Sequence, residues 1–134
     1  MDHDPEPLGL RAAFVSYDRR RINMGTVVCA DLAHGVGGVH EGSESLWDLT
    51  WAIGVLAHES MHVRGADTEA KAECLGIQEI PHVARLLGLS AEQGRRIARR
   101  YWIGWYPLRD PDYRSDECRD GGDLDQSPQS HVWP

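Results

Sequence analysis

Two histidines and a glutamate near the middle of the chain form its most informative pattern. His58, Glu59 and His62 occur in the order His-Glu-Ser-Met-His. On a helix, residues four apart lie one above the other, so both imidazole rings can bind one metal ion. Bound zinc lowers the pKa of a water molecule to roughly 7, and a neighbouring carboxylate can take the proton. We therefore predict a zinc site with His58 and His62 as ligands and Glu59 as general base.

The same residues have a plainer interpretation, in which two helical histidines are ordinary core or surface side chains. Average residue usage makes a chance match to three specified positions a below-one-percent event, roughly, in a chain of this length. The motif also lies late in a long segment with helical periodicity. Both observations favour metal binding over the plainer interpretation.

A zinc enzyme of this kind needs a third protein ligand and leaves the fourth position to water. Glu69 and Glu73 follow the motif, four residues apart and therefore on one face of the next helix. Antiparallel packing would bring both carboxylates back toward the histidines. Either can be the ligand while the other accepts a hydrogen bond from a ligand histidine. Either can also be a solvated glutamate paired with a nearby cation.

Two short patterns follow each other at the centre of the chain: His58-Glu59-x-x-His62 and Glu69-x-x-Ala72-Glu73. Together they resemble the gluzincin metallopeptidases over residues 46–78. The stretch from His58 to Gln78 is also similar to small uncharacterised bacterial proteins of this class. The resemblance implies zinc-dependent peptide hydrolysis, with Glu69 as third zinc ligand and Glu73 in place of a supporting aspartate. The connection between the two patterns is very short and Glu73 is longer than aspartate, and either departure can exchange the two roles.

Gluzincin-like enzymes hold their substrate along an edge strand above the active-site helix. Our candidate is Ile22–Ala30, which is rich in β-branched residues and broken at Gly25, and which would bind a peptide by backbone pairing. A plain structural strand is an equal interpretation. A transition-state oxyanion needs a further donor, and the sequence does not choose among Tyr101, Tyr106, Tyr113, His82, His131 and the arginines.

The elements that must position these residues are mainly helical. Apolar residues at helical spacing on two faces predict a buried helix over residues 46–64. A second helix begins after Asp67 or Thr68 and stops near Glu79, before Pro81. A short helix over residues 81–87 and a last helix from Ser90 to before Pro107 follow, the latter with Ser90 and Gln93 as capping box. Residues 34–45 have loop character.

These elements predict an α+β fold, mainly helical, with a small β-sheet, a zincin-like active-site helix and a following glutamate-bearing helix. We predict that residues 1–107 form a single zincin-like domain. Residues 108–134 are rich in Asp, Gly, Ser and Pro, and we expect an irregular acidic tail that packs on the domain through Val132 and Trp133.

Charge and hydropathy limit the classes of binding partner and the location that we expect for this protein. The chain has 21 acidic and 14 basic residues and a net charge of −7, which argues against nucleic acid. The arginines between residues 95 and 100 fit the solvated face of a helix. No apolar stretch approaches the roughly 18 residues that a membrane span needs. No secretory signal is visible, so we expect a cytoplasmic protein, with secretion as the alternative.

The sequence contains three cysteines, Cys29, Cys74 and Cys118, and no Cys-x-x-Cys pair. Reduced thiols are the expectation for a cytoplasmic chain, and a Cys29–Cys118 bridge is the alternative. Cys74 is expected to be a buried small apolar residue, or else a thiolate beside zinc.

The residues together favour a small zinc metallopeptidase that cleaves a peptide or protein substrate with Glu59 as general base. One alternative is a non-catalytic module in which zinc only stabilises the fold. Another is an interaction domain, phage or stress related, with a degenerate or metal-free site. The carboxylate of Glu59 favours the enzyme, because a structural zinc site has no need of it. The sequence identifies neither the substrate nor the oligomeric state.

Overall fold

The structure is a computed structural model that describes residues 13–16, 20–37 and 44–134. A long helix lies at its centre. The elements are β1 Ala13–Ser16, β2 Arg21–Met24, α1 Thr26–Gly37, α2 Glu44–Val63, α3 Glu69–Leu86 and α4 Ala91–Arg100. A π-helical turn, Tyr101–Trp105, and two 3₁₀ turns, Tyr106–Leu108 and Pro111–Tyr113, follow α4. The two strands form an antiparallel pair. The predicted fold class, mainly helical α+β with a small sheet, is confirmed.

The central helix α2 is buried on more than one face, as its apolar pattern predicts. Leu49, Ile53 and Ala57 are fully buried in the main core. Ala52 and Val55 pack instead with Val28 of α1 in a second apolar cluster. Because α2 contacts α1, α3 and both strands, its side chains at the motif are held from several directions.

The chain reverses tightly after α2. Gly65 has a φ of +111°, a conformation that glycine adopts without strain. Its N–H donates to the carbonyl of His62, and the N–H of Ala66 donates to that of Met61, which together form a Schellman cap. Thr68 then caps α3 by accepting from the N–H of Lys71. This reversal, with its three hydrogen bonds, lays α3 back along α2.

Helix α3 runs through Pro81 without ending, so the predicted break before this proline is wrong. Proline inside a helix removes one backbone hydrogen bond and disfavours the turn before it. Ile77, Ile80 and Ala84 are nonetheless almost completely buried on both sides of it. The burial of this apolar face stabilises the helix, since tertiary packing contributes more to helix stability than local propensity does.

The predicted strand Ile22–Ala30 is also wrong beyond Met24. The strand β2 ends there, and residues 26–37 form helix α1. The β-branched residues Val27 and Val28 predicted the strand, but Val28 is buried against α2, and this packing overrides propensity. The helix also includes residues 34–37 of the predicted loop, whose residues 38–43 lie outside the described part of the chain.

The predicted capping box of α4 is confirmed. The Ser90 hydroxyl accepts from the N–H of Gln93, and the Gln93 side chain accepts from the N–H of Ser90. The α-helix itself ends at Arg100 and continues as the π-helical turn, earlier than the predicted end before Pro107. This turn places Tyr101, Trp102 and Trp105 against the main core.

The chain after Arg109 contains one 3₁₀ turn and otherwise irregular backbone. It contacts the helices at several points. Gln78 of α3 donates to the carbonyl of Leu124 and accepts from the N–H of Gln126, and Trp133 packs edge-on against Trp102 at 5.3 Å. Val132 is 70% exposed. A domain boundary at residue 107 stays a prediction.

The cysteines differ from both predicted alternatives. Cys74 and Cys118 form a disulfide, with their Cα atoms 5.6 Å apart, and Cys29 is an exposed free thiol. Reduced thiols throughout, a Cys29–Cys118 bridge and a thiolate at Cys74 are therefore wrong, whereas the predicted burial of Cys74 is confirmed. The bridge joins α3 to the C-terminal segment across 44 residues, a distance over which sequence spacing indicates no pairing.

None of the described helices is both long enough and apolar enough to span a membrane.

Candidate metal centre

Three side chains direct one atom each toward a common point between α2 and α3. The Nε2 atoms of His58 and His62 are 3.1 Å apart. Oε2 of Glu69 lies 2.9 Å from Nε2 of His58 and 3.4 Å from Nε2 of His62. Among the described residues, these three form the one group of metal-binding type, with donor atoms within 4.8 Å of one another. Two imidazole nitrogens and a carboxylate oxygen are a donor set that suits zinc.

A glycine on α3 allows the two helices to approach at this point. A Cβ atom on Gly76 would lie 2.9 Å from the backbone nitrogen and 3.0 Å from the Cα atom of His58. Such contacts are too short for a side chain, so the backbones meet only because this residue is glycine. The close approach places Glu69 and Glu73 within hydrogen-bonding distance of the ring of His58.

The other nitrogen of each histidine ring is held by an acceptor. Nδ1 of His58 lies 2.7 Å from Oε2 of Glu73, and Nδ1 of His62 lies 3.0 Å from the carbonyl oxygen of Ala66. A carboxylate and a carbonyl only accept hydrogen bonds, so both Nδ1 atoms carry protons and donate. In the neutral rings, both Nε2 lone pairs therefore face Glu69.

Lone pairs that face one another repel, so the arrangement requires a cation at the common point. In the protein without metal, that cation is a proton. Burial lowers the pKa of His58, but hydrogen bonds with Glu69 and Glu73 outweigh this effect and raise it to about 9. The hydrogen bonds to both histidines hold the pKa of Glu69 well below its usual range. A divalent metal ion would replace the proton and satisfy all three donor atoms at once.

Glu73 lies almost completely out of solvent, with 1% of its surface exposed. Its charge is compensated on three sides. It accepts from Nδ1 of His58 and from the hydroxyl of Tyr101, and the guanidinium of Arg109 lies 3.2 Å from Oε1. Burial opposes ionisation of Glu73, yet these partners keep its pKa below the usual value. A buried carboxylate fixed in this way holds the ring of His58 in one orientation.

Aromatic rings enclose the centre on the side of the C-terminal segment. The guanidinium of Arg109 lies 4.1 Å from the ring centre of Tyr113 and 5.0 Å from that of Trp51. The ring of Tyr113 lies 5.6 Å from the ring of His58. Cation–π contacts and the ion pair with Glu73 together hold the cation of Arg109 in place. The segment after α4 therefore covers the histidines.

Glu59 differs from the other two glutamates because no described residue hydrogen-bonds or ion-pairs with its carboxylate. The side chain is half-buried. Burial raises its pKa, and the nearby rings of His58 and His62 reduce the rise without cancelling it. A carboxylate with a raised pKa and no fixed hydrogen-bond partner suits proton transfer.

A groove of about 450 Å³ opens beside His62. Strand β1, the turn before β2 and the reversal after α2 form its walls, through Val15, Arg20, His62, Val63, Gly65, Ala66 and Asp67. No residue of the predicted substrate strand Ile22–Ala30 is among the described residues that line the groove. The strand that borders the groove is β1, through Val15.

The structure brings together all five residues that the sequence singled out. His58, His62 and Glu69 converge, Glu73 contacts His58 from behind, and Glu59 lies beside them. Whether these groups bind zinc or catalyse a reaction stays a prediction.

Sequence reasoning missed the supporting residues in the last third of the chain. Arg109 was one arginine among many, and Tyr101 and Tyr113 stood only in a set of potential oxyanion donors. Of the others in that set, His131 pairs with Asp120 and His82 lines a separate groove, and the hydroxyl of Tyr106 contacts the backbone of Ser115. No spacing in the sequence connects Arg109 with Glu73, so no local signal could have identified it.

Comparisons of the chain with protein-family models, curated proteins and solved structures find no match. The likeness to gluzincins therefore rests on the motif residues alone.

Proposed function

We propose that this protein is a zinc-dependent hydrolase, a small metallopeptidase with His58, His62 and Glu69 as zinc ligands. One observation carries the proposal. The Nε2 atoms of both histidines and a carboxylate oxygen meet at one point, while both Nδ1 atoms donate elsewhere. This is the tautomeric state in which two imidazoles bind a metal through Nε2.

The chemistry follows from the groups around this point. Zinc, when bound there, supplies a Lewis acid that polarises a carbonyl and lowers the pKa of water to roughly 7. Glu59 takes a proton from water at a carboxylate oxygen and delivers it to the leaving nitrogen of the cleaved bond. Its freedom from hydrogen bonds to described residues allows it to turn between the two positions.

The residues behind the histidines keep the donor atoms in position. Glu73 orients His58, and Tyr101 and Arg109 hold Glu73 as a carboxylate. The carbonyl of Ala66 orients His62. A centre in which every orienting group is itself fixed needs little rearrangement during the reaction.

The groove beside His62 supports a peptide as substrate. Strand β1 borders it, and an extended peptide can pair with a strand through its backbone. Because backbone pairing reads no particular side chain, this feature indicates the class of substrate and not its sequence.

The variant Glu59→Gln tests the proposal. It should retain zinc and fold, measured by elemental analysis and circular dichroism, while hydrolysis of a mixed peptide library falls by about 10²- to 10⁴-fold. Glu79→Gln, a matched change at a half-buried glutamate outside the centre, should leave hydrolysis unchanged. Loss of zinc in Glu59→Gln would make Glu59 a ligand, and undiminished hydrolysis would exclude it as the base.

A non-catalytic zinc module is the second candidate, and one observation favours it. His58 and His62 are only 6% and 5% exposed, as in structural sites that are closed to solvent. Zinc retention without hydrolysis of the peptide library by the wild-type protein would support this candidate over the enzyme.

A further inference from the structure

A second feature of the molecule lies at the other end of the α2 face that carries the histidines. Here the start of α2, the end of α4 and the π-helical turn form a groove of about 610 Å³, lined by Trp47, Arg96, Arg99, Arg100, Ile103 and Gly104. Trp47 precedes His58 by eleven residues, or about 16 Å along a helix. The groove is thus separate from the candidate metal centre.

The groove concentrates positive charge in an acidic protein. The chain has a net charge of −7, yet three arginines of α4 line this groove: Arg96, Arg99 and Arg100. Arg96 pairs with Glu92 at 3.0 Å. Arg99 and Arg100 make no ion pair with any residue in the described part of the chain. A cationic cluster of this kind attracts an anionic ligand and orients it as it approaches.

Apolar side chains lie directly beside these cations. Trp47 is 41% exposed and Ile103 is 68% exposed. The indole of Trp47 is fixed, because it stacks on Trp105 with ring centres 4.4 Å apart and lies against Gly104, where a Cβ atom would come within 2.6 Å of it. An aromatic ring that is rigid before binding loses little conformational entropy on contact. Rigid tryptophan and arginine side chains are typical of binding hot spots.

We propose that this groove binds an acidic peptide segment that carries an apolar side chain among its carboxylates. Arg99 and Arg100 would bind the carboxylates, which match the planar guanidinium group in geometry. Trp47 and Ile103 would bury the apolar side chain. A peptide suits a groove better than a flat bilayer does, and the net negative charge of the chain repels an extended nucleic acid backbone. The inference depends neither on zinc nor on hydrolysis.

The test measures fluorescence anisotropy with a fluorescein-labelled peptide of twelve residues, in which Glu alternates with Gly around one central Leu. A second peptide replaces each Glu by Gln. We expect the acidic peptide to bind, the Gln peptide to bind at least about tenfold more weakly, and added salt to weaken the acidic complex. Quenching of the tryptophan fluorescence of the protein provides a second signal of binding, because Trp47 lines the groove.

Two double variants with the same change in net charge test whether the peptide binds at this groove. Arg99→Glu/Arg100→Glu should bind the acidic peptide at least about tenfold more weakly than wild type. Arg85→Glu/Arg119→Glu, at exposed arginines elsewhere, should stay within about twofold. Circular dichroism establishes that both are folded. Equal loss in the two variants, equal binding of the Gln peptide, or tighter binding of oligothymidylate than of the acidic peptide would each overturn the proposal.

Discussion

The α2–α3 hairpin and the C-terminal segment contribute to the candidate metal centre in different ways. The hairpin supplies every donor atom, from His58, His62 and Glu69. The segment from Tyr101 to Cys118 supplies no atom to that group of donors. It instead holds Glu73 through Tyr101 and Arg109, and the Cys74–Cys118 disulfide fixes it next to Glu73. The hairpin therefore determines which metal ion can bind, and the C-terminal segment determines how rigidly the donor atoms are positioned.

Glutamates four residues apart on α3 allow the sharpest test of this difference. Glu69→Gln removes a charged donor and should weaken zinc binding by more than about 100-fold, whereas Glu73→Gln removes a supporting contact and should cost roughly 10- to 100-fold. Competitive zinc titration with a chromophoric chelator measures both. A larger loss in Glu73→Gln would exchange the two roles. Near-wild-type affinity in both would place the third ligand elsewhere.

The second test concerns the hairpin without metal, where a proton on His58 occupies the centre. Its pKa is about 9 in the folded protein and about 6.5 when unfolded. A histidine whose pKa is raised by folding stabilises the folded state. This stabilisation is fully present at pH values below the pKa of the unfolded state, and it is lost as the pH rises through the pKa of the folded state. Chelator-treated protein should therefore lose about 3 kcal/mol of unfolding free energy between pH 6 and pH 9.

Urea denaturation at the two pH values measures this loss. His58→Gln, which lacks the His58 ring, should lose less unfolding free energy over the same range, because only the pKa of His62, raised by its hydrogen bond with Glu69, still contributes. The opposite pKa shift of Glu69 acts at lower pH, because its stabilising effect disappears only as the pH falls through the acid range. Equal stability of the wild-type protein at pH 6 and pH 9 would contradict the assignment of the proton to His58.

A substitution in the C-terminal segment should have a smaller effect on zinc affinity. Arg109→Met keeps the apolar packing against Trp51 and Tyr113 but leaves Glu73 without its cation. We expect zinc affinity to fall by up to about tenfold, because the substitution acts on the centre through Glu73 and His58. Arg114→Met, at an exposed arginine of the same segment, is the matched control. An effect as large as that of Glu69→Gln would mean that the segment does more than support the hairpin.

The same contrast explains how much the sequence could predict. Residues 58, 59 and 62 lie on one helix, and residues 69 and 73 lie one tight turn away, so helical spacing brings them together without knowledge of the fold. The ion pair between Glu73 and Arg109 joins residues 36 positions apart, and the disulfide joins residues 44 apart. Such contacts depend on how the whole chain packs, and no local pattern encodes them.

The errors in secondary structure have a related cause. Thr26–Gly37 contains β-branched residues and glycines but is a helix because Val28 packs against α2. Pro81 lies within α3 because its neighbours are buried on both sides. Local propensity amounts to tenths of a kilocalorie per residue for most side chains and to roughly 3 kcal/mol for proline inside a helix. Burial of each apolar side chain contributes roughly 1.5–3 kcal/mol, and several are buried around Pro81. Where local propensity and tertiary packing favour different secondary structures, packing therefore determines which one forms.

Metal content is the measurement that tests the central claim most directly. Purified protein, loaded with zinc and freed of excess ion, should hold one zinc ion per chain by elemental analysis and by native mass spectrometry. His58→Ala and His62→Ala should each lose it, since removal of one of three ligands leaves too few donors for a tight site. Wild-type protein that binds no transition metal, or variants that retain the wild-type zinc content, would contradict the account.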